Sequence, residues 1–167
     1  MSLENAMENT METLKQHLFD LSACTRALQI WFQGAHHLTK GTGFAGDHNL
    51  LYSEIYEAAD DEFDGYVERN LGLTNDEAVA CPKVLMPRVS EYVMDMPCIA
   101  GHSALGIAAG GLAIVQHHIE HITQCYEAVK ASGEMTLGLD DMLMANANAY
   151  ERLAYLLQQR VKAEMDR

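Results

Sequence analysis

The stretch CPKVLMPRVSEYVMDMPCIAGHS, running from Cys81 to Ser103, decides the fold of this chain. It holds all three prolines, Pro82, Pro87 and Pro97. Proline in a helix interior removes a backbone donor and clashes with the preceding turn, so one long helix across this stretch is excluded. A connection carrying one short helix, near Val89 to Met94, fits instead. What it connects is legible on either side.

Upstream, about Asn5 to Lys40, apolar residues recur at Met11, Leu14, Leu18, Leu21, Thr25, Leu28, Phe32 and Ala35. Steps of three and four mark one buried stripe on an α-helix. Lys40-Gly41-Thr42-Gly43 ends it, since glycine readily takes the left-handed conformation of a helix C-cap. Asp47 reads as the N-cap of a second helix reaching about Leu71, and Thr74 to Glu77 resembles a capping box. Downstream, Leu105, Ala108, Leu112, Val115, Ile119, Ile122, Tyr126 and Val129 give a third helix that stops at Ser132-Gly133. A fourth, about Leu137 to Glu164, presents Leu139, Leu143, Ala147, Tyr150, Leu153 and Leu157. No segment shows the sustained alternation of a strand. Four long helices, two short loops and one long crossover between helices two and three predict an all-α, ferritin-like four-helix bundle. Cytokine bundles need two crossovers and are excluded by loop length.

At 167 residues the expectation is a single domain over 1–167. A chain that is 49% hydrophobic is too apolar for disorder, and no run reaches the ~20 apolar residues of a membrane span. The N-terminus has neither the basic start nor the apolar stretch of a signal peptide, which predicts a cytoplasmic protein. The net charge is −13. With the eleven Lys and Arg scattered, direct DNA binding is not expected and cations are the natural partners. Cys24, Cys81, Cys98 and Cys125 suit neither a zinc ribbon nor a disulfide framework, and read as small buried hydrophobes.

On the second helix Glu54, Glu57, Asp61, Asp64 and Glu68 step by three and four, placing five carboxylates on one face. Like charges at this spacing cost about 0.2–0.5 kcal/mol per neighbouring pair, hence roughly 1–2 kcal/mol for four successive pairs. Asp60 and Glu62 thicken the stripe. A solvated face is one reading; a hard cation offsetting the repulsion is the other. His36, near the end of helix one, and His48, at the start of helix two, add two imidazoles. Two imidazoles with two carboxylates make a mixed N/O set suited to iron, and also to zinc or manganese. On helix three, His117 and His121 stand at i and i+4 beside His118 and Glu120. They either decorate the surface or chelate an auxiliary metal from one face, directed away from the bundle core. No Glu-x-x-His pair of an in-bundle di-iron centre is present.

Taken together these stretches resemble the Dps branch of the ferritin superfamily. Ala27-Leu28-Gln29-Ile30-Trp31-Phe32-Gln33-Gly34-Ala35-His36 is similar to the family's helix-one segment, which ends in a ferroxidase histidine. Gly41-Thr42-Gly43-Phe44 and then His48, twelve residues after His36, are similar to the segment carrying the second. Leu50-Leu51-Tyr52-Ser53-Glu54-Ile55-Tyr56-Glu57 and Asp64-Gly65-Tyr66-Val67-Glu68-Arg69 resemble the second-helix signature. The match covers about Ala27 to Leu73; the remainder agrees in helix layout.

The resemblance implies a dodecameric homo-oligomeric cage with ferroxidase sites at two-fold interfaces. There His36 and His48 of one subunit would face Asp64 and Glu68 of its partner, and iron(II) would be oxidised by peroxide or oxygen and stored as ferric mineral. That would protect against oxidative stress. Glu54, Glu57 and Asp61 become candidates for mineral nucleation. Two departures stand out. Where the family places tryptophan after its first histidine, this chain has His37, either a supplementary ligand or an exposed bystander, with Trp31 earlier on the same helix. And His48 to Asp64 is sixteen residues, one more than the family pattern, the extra one falling among Asn49, Leu50 and Leu51. One inserted residue turns a straight helix by about 100°, so a π-bulge or a loosened first turn is expected to absorb it. The competing expectation is a ferritin-like structural or metal-scavenging cage without ferroxidase activity.

Overall fold

The computed structural model describes residues 3–165, with side chains over 12–163. Four long helices carry the fold: α1 (Leu3–Leu38), α3 (Ser53–Thr74), α5 (Ala104–Ser132) and α6 (Leu137–Met165). Between α1 and α3 lie a single turn, α2 (Phe44–Gly46), and a six-residue π-helical segment, Asp47–Tyr52. The crossover holds a 3-10 turn (Glu77–Ala80) and α4 (Pro82–Asp95). No strand occurs among the described residues. None of the described helices is long and apolar enough to cross a membrane.

α1 is central, packing against α3, α4 and α5. Its stripe of Leu14, Leu18, Leu21, Thr25, Leu28, Phe32 and Ala35 is buried in full. Each large apolar side chain so placed contributes about 1.5–3 kcal/mol of burial free energy. Met11 lies outside the described side chains. The helix ends as its sequence predicts: Thr39 N–H bonds to the Ala35 carbonyl at 2.9 Å, and Gly41 turns the chain at φ +84°. α5 meets α1 closely because Gly110 and Gly111 have no side chains. A Cβ on Gly111 would sit 3.1 Å from the Phe32 ring, and one on Gly110 3.3 Å from Trp31. The Ser103 side chain caps α5 by accepting from Gly106 N–H at 3.1 Å.

Several local expectations are corrected. α4 is more than twice the predicted length. Pro82 sits in its first turn, where a missing N–H costs nothing, and Pro87 lies inside the helix on an exposed face. Leu85 and Val89 anchor α4 against Ala23 and Ala27 of α1, and Arg88 reaches Asp20 at 2.7 Å. Thr74 and Glu77 form no capping box. The Thr74 hydroxyl donates back to the Asn70 carbonyl at 2.7 Å, and Asp76 caps the next turn by accepting from Ala78 N–H at 2.9 Å. Asn75 breaks α3 with φ +52°, a conformation asparagine tolerates better than most residues. Cys24 and Cys125 are buried as expected, whereas Cys98 is exposed and Cys81 half-buried.

Candidate metal centre

The two histidines singled out by sequence do meet. His36 comes from the last turn of α1 and His48 from the π-helical segment, and their rings stack with centroids 3.6 Å apart and planes 21° apart. Each ring is fixed by the other residue's backbone. His36 Nδ1 lies 2.8 Å from the His48 carbonyl oxygen, and His48 Nδ1 lies 2.8 Å from the His36 carbonyl oxygen. A carbonyl oxygen only accepts, so both Nδ1 atoms carry the hydrogen. In the neutral rings the lone pair is therefore on Nε2, the arrangement by which proteins orient histidine as a metal ligand.

A π-helical segment, Asp47–Tyr52, carries His48 and spans Asn49, Leu50 and Leu51, where a bulge is expected from the resemblance. The widened turn gives way to regular α-helix at Ser53, where α3 begins, and π-bulges of this kind are frequent at functional sites.

Asp47, expected as an N-cap, is instead buried below this turn. Its carboxylate accepts from Arg160 Nε of α6 at 2.8 Å and from Thr39 Oγ1 at 3.4 Å. The Arg160 side chain is 14% and that of Asp47 3% exposed, so this is an interior ion pair tying the turn to the C-terminal part of α6. The same buried Asp47, after burial itself, pushes the neighbouring Tyr52 phenol up from its ordinary pKa.

Around the histidines stands an aromatic frame that sequence reading did not assign. Phe44 stacks on His48 at 4.8 Å, and Tyr56 meets His36 edge-on at 5.4 Å. Phe44 had entered the reading only within the segment that resembles the family's second-histidine stretch, four residues before His48. Trp31 does not join them. It is buried, its Nε1–H donates to the Pro97 carbonyl at 2.8 Å, and it ties α1 to the crossover. His37 is exposed, its ring 5.1 Å from that of His36.

Asp64 and Glu68 are exposed on α3, but they are not beside the histidines of their own chain. Sixteen residues at 1.5 Å each put Asp64 roughly 24 Å along the helix from His48. Accordingly, among the described residues no three of His, Cys, Asp and Glu are placed to hold a metal ion together. The rest of the acidic stripe divides. Glu57 and Asp61 are exposed, Glu54 pairs with Arg152, and Asp60 binds Arg26 at 2.9 Å and Gln29 at 2.8 Å. Glu62 does not belong to the solvated face. It turns into the bundle beside Tyr150 and Tyr66, and burial raises its carboxyl to about 7.

A four-helix bundle with one long crossover and a helix within that crossover is a ferritin-like fold. Among solved structures the fold is Dps-like. The chain superimposes on Dps of Staphylococcus aureus with a TM-score of 0.76 at 16% identity, over 89% of this chain and 94% of that one. An archaeal Dps homologue of Halobacterium salinarum gives 0.77 at 21% identity, over 92% and 81%. Dps of Vibrio cholerae O1, described as a member of a broad superfamily of ferritin-like diiron-carboxylate proteins, gives 0.73 at 17% identity, over 92% and 91%. No family model and no curated protein matches the sequence itself.

Proposed function

We propose that this chain is a single ferritin-like domain whose copies assemble into a cage that oxidises iron(II) and stores it as ferric mineral in the cytoplasm. The observation that carries this reading is the reciprocal Nδ1–carbonyl lock on His36 and His48, which leaves two Nε2 lone pairs oriented as ligands. It is half of a binding site. The other half, Asp64 and Glu68, lies one helical turn apart on α3 and some 24 Å away in the same chain. Two copies with their α3 helices antiparallel across a two-fold axis would bring each half to the other, giving two equivalent sites per dimer. Ile30, Leu38, Phe44 and Leu50 are exposed on the segments carrying the histidines, as befits a face that a second subunit covers.

Iron is the substrate here. Two iron(II) ions supply the two electrons that, with two protons, reduce one peroxide to two waters. Carboxylate oxygens favour the ferric product, while the neutral imidazoles admit ferrous iron without adding charge. The exposed Glu57 and Asp61 are the candidates for the first mineral contacts. Zinc or manganese would suit the same donors as a substitute.

Anaerobic titration with iron(II), followed by peroxide and monitored by ultraviolet absorbance, tests the reading. Rapid formation of ferric product in the wild type, abolished in His48→Ala/Asp64→Ala with helicity and assembly intact, is the expected result. Iron oxidation at the wild-type rate in that variant would refute it. Binding without oxidation in the wild type would identify a metal-scavenging cage.

A further inference from the structure

A second pair of histidines lies on α5. His117 and His121 are one turn apart, and their Nε2 atoms approach to 3.0 Å. Their rings stand at 88° to each other. Since neutral imidazole has one donor and one acceptor nitrogen, this contact is one N–H shared between two nitrogens. His117 Nδ1 lies 3.6 Å from a Glu120 carboxylate oxygen, which favours the hydrogen on Nδ1 and leaves the lone pair on His117 Nε2. His121 is the donor. Its ring is held by edge contact with Tyr92 of α4 at 5.3 Å, and burial together with His117 lowers its pKa.

We propose that His117 and His121 form a metal site independent of the iron-handling histidines, selective for an imidazole-preferring divalent cation of the zinc or copper(II) class. Both Nε2 atoms serve as ligands. Two metal–nitrogen bonds of about 2.0–2.1 Å span the existing 3.0 Å separation at an angle of ~94°. Opening the pair by roughly 0.3–0.4 Å reaches the tetrahedral angle. Such a shift lies within the reach of two surface rotamers. The helix has already placed both rings on one face, as in the helical His-x-x-x-His arrangement that zinc uses elsewhere. Binding moves the His121 hydrogen from Nε2 to Nδ1, so both imidazoles stay neutral and no net proton is released.

Among the described residues no third His, Cys, Asp or Glu converges on the pair, so water completes the coordination. His117 also lines a cleft of about 440 Å³, with Tyr92, Asp95, Met96, Pro97 and Ile114. Two imidazole nitrogens as the protein ligands favour zinc and copper over iron, because carboxylate-rich sets suit the harder ions. The chain thereby separates two metal chemistries on two helices.

The experiment is done in a His36→Gln/His48→Gln background, so that failure of the iron reading and failure of this one are distinguishable. In that protein, calorimetric titration with zinc is expected to show one bound ion per chain that disappears on adding His117→Gln. His117 is exposed, and circular dichroism will report that the fold survives. Copper(II) loaded at one equivalent should show paramagnetic-resonance splitting from two nitrogens, reduced to one by His117→Gln. Iron oxidation by the otherwise wild-type His117→Gln protein should be unchanged. Zinc stoichiometry that is the same with and without His117, or copper splitting that does not respond to its loss, overturns the proposal.

Discussion

A site divided between two copies can be tested by complementation, with a magnitude that follows from geometry alone. Let one variant carry His48→Ala and the other Asp64→Ala. Each forms inactive homodimers, because every site then lacks a ligand. In a mixed dimer the two sites are unequal. One combines the missing histidine with the missing aspartate. The other combines an intact His48 with an intact partner Asp64 and is wild type in composition. Isologous two-fold pairing guarantees this reciprocity. Random assortment makes about half of all dimers mixed, each with one good site of two, so about a quarter of wild-type oxidation capacity returns in the whole mixture and about half in isolated mixed dimers. The assay is co-refolding of the two variants, separation of mixed assemblies by a charge tag, and peroxide-driven iron oxidation on the pooled fraction. A site built within one chain would return nothing, because no chain in the mixture holds both residues. Zero recovery in a fraction shown by mass to contain both variants would therefore refute the shared site.

Glu62 offers a pH signature. Its carboxyl is raised from an ordinary 4.5 to about 7 by burial, so the folded state keeps a proton the unfolded chain has lost. Stability contributed by this group falls as pH rises through that window, by ~3 kcal/mol at most; Glu62→Gln should remove the loss, read by urea denaturation at pH 5 and pH 8. His118 acts with the opposite sign. Fully buried and neutral, with its pKa lowered to about 3 chiefly by desolvation, it costs stability as pH falls below 6.5, so the Glu62→Gln protein should weaken on acidification more steeply than the wild type. Arg160→Ala would leave Asp47 buried without its cation, at a cost of about 3–5 kcal/mol. Thermal melting should show the loss, and Arg160→Met/Asp47→Leu should recover much of it. Direct DNA binding is expected to be absent: at net charge −13 a gel shift near 0.15 M salt without divalent metal should show no complex.

Helix positions and the buried stripe of α1 were legible because they rest on a period of three to four residues, which any helix must obey. The crossover helix was read short because Pro87 was taken as a breaker. Its flank faces solvent, and the packing of Leu85 and Val89 on α1 outweighs the one lost backbone bond. Asp47 looked like a cap because aspartate at a helix start usually is one. Its true partner, Arg160, is 113 residues away, and no local pattern announces such a pairing. Glu62 was counted with the exposed carboxylates although its neighbours Asp61 and Asp60 point elsewhere. A helical wheel gives direction but not depth. His36 and His48 were found by type and spacing. Their stacking and the identity of the hydrogen-bearing nitrogen required coordinates.

The lock on those two histidines depends on main-chain carbonyls, not on side-chain partners. Every residue has a carbonyl, so no particular neighbour needs to be kept for the rings to hold their orientation. Substitution can proceed freely around such a pair provided the backbone path through the widened turn survives. What has to be kept is then a route through space. An engineer could redraw the surrounding surface extensively, leaving the thirteen residues from His36 to His48 to keep the two imidazoles facing each other.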